Sequence, residues 1–90
     1  MRVDAADIGM ANAAAIAAAG IDAIRGGDTS FDLSPVRSCD SSAVAVVLAW
    51  QREAQARGAR LQLTGLPAGL VSLASVYGVA PLMDLEAAGG

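Results

Sequence analysis

Asp32-Leu-Ser-Pro-Val-Arg-Ser-Cys-Asp-Ser-Ser-Ala43 carries the change of hydrophobic period that decides the fold. Ahead of and into this stretch, from Thr29 to Pro35, Phe31 and Leu33 alternate with Ser30, Asp32 and Ser34, the period-two pattern of a strand with one buried face. Pro35 has no N–H to give to a ladder, so Pro35 and Val36 leave the sheet and a turn follows. Asp40 then stands where a side-chain oxygen can accept from the orphan amides of a helix whose first turn is Ser41, Ser42 and Ala43. Beyond it Val44, Val47 and Leu48 recur at helical spacing on one side, and Gln51, Arg52 and Glu53 open a polar face. Gly58 supplies the stop.

Working outward, Leu61 and Leu63 alternate with Gln62 and Thr64 as a second strand closed by Gly65. Pro67 suits a first helical turn, which predicts a third helix over Pro67 to Tyr77 with Leu70, Leu73, Ala74 and Tyr77 facing inward and Gly78 ending it. Val79 to Leu85 returns as an edge strand interrupted by Pro81, and Glu86 to Gly90 is a frayed tail. Upstream, Ala11 to Arg25 is rich in the best helix former, carries Ile16, Ile21 and Ile24, and stops at the Gly26–Gly27 pair. Val3 and Ile8 mark a truncated strand and the approach to that helix. Alternating helices and strands predict an α/β domain, a small mostly parallel sheet with right-handed crossovers and helices packed on it. No internal repeat is visible.

Ninety residues predict a single domain spanning 1–90, which at this size buries only roughly 60 to 65% of the surface of its unfolded chain. The chain is 54% hydrophobic, but its aromatics are only Phe31, Trp50 and Tyr77, so the apolar surface is made of small side chains suited to close packing. Net charge is −3, there is no Lys or His, and the six Arg are scattered, which argues against a nucleic-acid footprint. Cys39 is the only cysteine, so no disulfide framework and no Cys/His metal set is predicted. Cys39 reads either as a thiol activated by the helix start that follows it or as a small core residue. Trp50 and Tyr77 read either as binding anchors or as core. Met10 to Ile24 mimics a signal-peptide apolar region, but acidic residues precede it, alanine dominates it, and Asn12 and Asp22 interrupt it. Nothing approaches the ~20 strongly apolar residues of a bilayer span, so the expectation is a cytoplasmic protein without direct membrane insertion.

From Asp32 through Ala43, then over an apolar helix and Gly58-Ala-Arg-Leu-Gln-Leu-Thr-Gly-Leu-Pro67, the chain resembles the STAS family. That family includes anti-anti-sigma factors, a domain of sulfate transporters, and the small cytoplasmic subunit of the Mla phospholipid-transport ABC system. Its shared pattern is a strand ending in Asp-Leu-Ser, a loop, then Asp-Ser-Ser-Gly or Asp-Thr-Gly-Gly opening the next helix. Leu73-Ala-Ser-Val-Tyr77 looks most like the Mla subunit, and the resemblance covers about Thr29 to Leu82. Two features depart from the pattern. Ala43 stands in place of the usual Gly, and Met1 to Gly9 is too short for the family's N-terminal β-hairpin. A shortened sheet edge is the expected result, and an open edge is a route to a homodimer.

The resemblance implies two uses for the start of the second helix. In anti-anti-sigma members the first Ser after the Asp is phosphorylated by a partner kinase, and the matching residue is Ser41. In Mla subunits the matching position serves assembly with the ATPase, and Ser41 then becomes an interface hydroxyl. The expected site is therefore Asp40, Ser41, Ser42 and Tyr77. The expected function is a non-catalytic subunit that docks on and regulates the ATPase of an ABC phospholipid transporter, held at the inner membrane through that partner. The alternative is an anti-sigma factor antagonist switched by an anti-sigma factor kinase at Ser41. No cofactor is expected. An enzyme is not expected either, since there is no His, no Lys and no acid pair set in a pocket pattern. Gly65-Leu-Pro-Ala-Gly69 lacks the Lys and the spacing of a phosphate loop and reads as a turn.

Overall fold

Residues 1–76 are described in a computed structural model. They form, in chain order, β1 (Asp7–Ile8), α1 (Ala13–Arg25), β2 (Ser30–Asp32), β3 (Ser38–Cys39), α2 (Ser41–Ala56), β4 (Gln62–Thr64) and α3 (Ala68–Val76). The period-two pattern does what it predicts: Phe31, Leu33 and Leu63 are buried, while Ser30, Gln62 and Thr64 are exposed. β2 pairs in parallel with β4, Phe31 level with Leu63, and β1 pairs in parallel with β3, Ile8 level with Cys39. A parallel bridge from Arg2 to Asp32 joins the two pairs. The Val3 N–H donates to the Asp32 carbonyl at 2.9 Å and the Asp32 N–H to the Met1 carbonyl at 2.8 Å. The Met1–Ile8 segment thus runs along one side of the 30–39 path and β4 along the other.

Three expectations need correction. The strand read as Thr29 to Pro35 ends at Asp32, because the Asp32 carboxylate accepts the Ser34 N–H at 2.9 Å and the Val36 N–H closes on the Leu33 carbonyl at 2.9 Å. The chain then extends again as β3, which the sequence reading leaves inside a turn; two residues carry no alternation to detect. The third concerns α2, where Gln51 does not open a polar face. It is 6% exposed, and Val46 is buried beside Val47. α2 packs against both α1 and α3 as well as the sheet, so its buried arc is wider than one helical stripe.

The truncated strand marked by Val3 and Ile8 is present, and both side chains are core. Parallel α1 and α2 lie side by side. The Trp50 indole Nε1–H donates to the Ala17 carbonyl at 3.1 Å, and Arg25 pairs with Glu53 at 3.5 Å farther along. Trp50 is fully buried and meets Phe31 edge-on, ring centres 4.9 Å apart and planes at 81°, which decides its role in favour of core. In α3, Leu70 and Ala74 are buried and Leu73 half-buried, as the spacing predicts. Tyr77, the Val79–Leu85 strand and the Glu86–Gly90 tail lie outside the described residues.

Candidate docking site at the start of the second helix

Asp40 has extended backbone, φ −106° and ψ −170°, and caps α2: its Oδ1 accepts the Ser42 N–H at 2.8 Å and also the Ser42 hydroxyl. The Ala43 N–H is taken by the Asp40 carbonyl at 3.1 Å. On its other side the Asp40 N–H donates to the Ile8 carbonyl at 3.1 Å, and the Met10 amide reaches the carboxylate. A side chain at Gly9 would come within 3.3 Å of Asp40 Oδ2, so glycine there permits the close approach. One carboxylate therefore ties the turn before α1 to the first turn of α2. The Ser42 hydroxyl and then the Ser42 amide hold the Asp40 carboxyl below the usual aspartate value.

Asp40 and Ser42 are thus bonded to each other, while Ser41, next to them, is exposed and its hydroxyl takes no part in the cap. Tyr77 lies outside the described residues. Two further features border the three residues, and the sequence reading misses both. Met10 is 88% exposed, the one large hydrophobic so exposed among the described residues. Between α1 and α2 runs a shallow groove of about 200 Å³ lined by Ala13, Ala14, Ala17, Ser42, Ala45 and Val46. The available signal was the alanine run of the first half of α1, Ala13-Ala-Ala-Ile-Ala-Ala-Ala19, whose lack of bulk leaves a furrow where larger side chains would fill it.

Cys39 is half-buried in β3, packs against the core, and would lie 3.7 Å from a methyl at Gly69. Burial, with help from the Asp40 charge, pushes its thiol pKa up, which overturns the reading of a thiol activated by the helix start. Among the described residues there is no cluster of three or more His, Cys, Asp or Glu placed to hold a metal ion. No helix among them is long and apolar enough to cross a membrane.

No curated protein matches the chain. A family model described as "Mlab, STAS domain" matches residues 5–84, a span that takes in every element from β1 to α3. With its parallel α/β layout and its Asp40-capped second helix, the chain belongs to the MlaB-like STAS domains, a family of regulatory protein-interaction modules.

Proposed function

We propose that this STAS domain is the non-catalytic cytoplasmic subunit that docks on and regulates the ATPase of an Mla-type ABC phospholipid transporter, reaching the inner membrane through that partner. The observation that carries this reading is the surface around Ser41. Its hydroxyl is exposed and uncharged, and the capping groups beneath it are already hydrogen-bonded. Met10 and the alanine-lined groove extend that surface with apolar area. A partner can cover Ser41 and the apolar area around it while the Asp40 carboxylate keeps the Ser42 and Met10 hydrogen bonds it already accepts, so docking there leaves no capping group without a hydrogen-bond partner. The alternative, a phosphorylation switch at Ser41, draws on the same exposure. It is less favoured because the α2 amide that would receive a phosphate is already held by Asp40.

The test is affinity capture of the tagged protein from detergent-solubilised native cells, with mass spectrometry of the partners and of Ser41. An ABC ATPase with its permease and unmodified Ser41 is the expected result. Recovery of a histidine-kinase-like anti-sigma factor with phosphoserine at Ser41 overturns it.

A further inference from the structure

We infer that the Met1–Ala5 edge of the sheet pairs antiparallel with the same edge of a second copy, about a two-fold axis at Val3. In a parallel ladder the N–H and C=O of one residue point to the same side, and successive residues alternate. The inward groups are the Met1 carbonyl and the Val3 amide, both bonded to Asp32. The N–H and C=O of Arg2 therefore point outward, and the alternation that puts the Arg2 and Asp4 side chains together on either side of the buried Val3 carries those of Asp4 outward too; among the described residues none of the four has a backbone partner. Residues whose two groups both face the edge are the ones that exchange paired bonds across an antiparallel contact.

Charge selects the occupant. Arg2 and Asp4 stand on the same, exposed face of the edge, on either side of the buried Val3. An antiparallel copy centred on Val3 sets Arg2 opposite Asp4 and Asp4 opposite Arg2, two attractive cross-strand pairs in place of the 3.3 Å ion pair each chain makes within itself. A parallel copy would set like charges level, and a one-residue slip would turn Val3 outward. Charged edge residues commonly block pairing; here their opposite signs permit it in one register only. The edge itself, Met1 to Ala5 with Arg2 and Asp4 included, forms one wall of a mostly apolar hollow of about 280 Å³ whose other wall is Ala15, Ile16 and Ala19 of α1. The two-fold axis brings two such hollows together, so the contact is isologous and closes on itself.

Sedimentation velocity of the full chain over a concentration series, with R2D, D4R and the R2D/D4R double variant, tests the pairing. The wild type should dimerise, each single swap should weaken dimerisation by roughly tenfold to a hundredfold, and the double swap should restore it. D4P removes one outward N–H without touching the inward bonds and should also give a monomer. Arg2 lies near Asp32, so if R2D lowers the melting temperature, D4R and D4P carry the test. A wild type that stays monomeric to about 1 mM, the Kd range of the weakest specific contacts, overturns the inference. So does a dimer indifferent to R2D and D4R, or a folded double variant that remains monomeric.

Discussion

Gly20→Ala puts two known effects in opposition, and the structure says which wins. Gly20 is buried in the middle of α1, where alanine is better than glycine by about 1 kcal/mol on helix propensity alone. A Cβ built there would overlap the Trp50 indole at Nε1, Cε2 and Cδ1, the rigid part of the ring and not a flexible tip. Trp50 cannot retreat freely, because it is fully buried against Phe31 and its N–H is bonded to the Ala17 carbonyl. Overpacking of this kind costs about 1–3 kcal/mol. Loss of the indole hydrogen bond adds about 1 kcal/mol. Set against the propensity gain, the net is a destabilisation of about 1–3 kcal/mol. For a domain of this size that lowers Tm by roughly 4–8 °C per kcal/mol. Urea unfolding followed by far-UV circular dichroism measures it. The partner variant Trp50→Phe removes the clashing five-membered ring, so the double variant should cost at least about 1 kcal/mol less than the sum of the singles. A Gly20→Ala protein as stable as wild type, or singles that add, would refute the close passage of α1 over Trp50.

Gly65 and Gly58 both have positive φ, +65° and +67°, but a Cβ at Gly65 would lie 2.7 Å from the Ser34 amide nitrogen while one at Gly58 meets open space. Gly58→Ala should cost about 1 kcal/mol and Gly65→Ala clearly more, about 2–4 kcal/mol, by chemical denaturation. Ser41→Glu should abolish capture of the ATPase while leaving Tm nearly unchanged, because the side chain is exposed at a helix start; undiminished capture would remove Ser41 from the interface. The folded pKa of Asp40 is lowered by Ser42, so its cap contributes stability above the ordinary aspartate range and loses it as pH falls through the lowered value. Asp40→Ala should therefore melt below wild type at pH 7, with the gap closing as pH drops through about 4 and below. A gap that is constant with pH would mean the carboxylate charge is not what caps α2.

The elements that show in the sequence are those long enough to display a period. Phe31 and Leu33, then Val44 and Val47, then Leu70 and Ala74 mark their own burial, and Gly58 and Gly65 mark the stops. β1 shows only through its buried Ile8, and β3 escapes altogether, because a two-residue strand has no alternation; their pairing is set by the Arg37 and Asp40 amides bonding to Ala6 and Ile8, contacts some thirty residues apart in the chain. Gln51 is misread because a helix flanked on both sides buries more than its apolar stripe. At the site, the Asp40 cap is legible from Asp-Ser-Ser alone. Met10 and the groove are not, since the first half of α1, from which Ala13, Ala14 and Ala17 line the groove, is alanine but for Ile16 and its spacing cannot say which side is left open.

Asp40 also bears on how Ser41 can be used. A phosphate at the start of a helix is stabilised by unpaired amides and by the positive end of the helix dipole. Here the Ser42 amide is bonded to the Asp40 carboxylate and the Ala43 amide to the Asp40 carbonyl. That carboxylate is ionised down to low pH, so a phosphate on Ser41 would arrive next to a fixed negative charge and would have to displace it to reach the Ser42 amide. Displacement would also release the Met10 amide and loosen the link between the turn before α1 and α2. A neutral Ser41 covered by a partner incurs none of these costs and leaves the cap intact. On the proposed reading, then, Asp40 keeps the α1 and α2 starts in one rigid surface, and Ser41 and Met10 are the parts of that surface a partner touches.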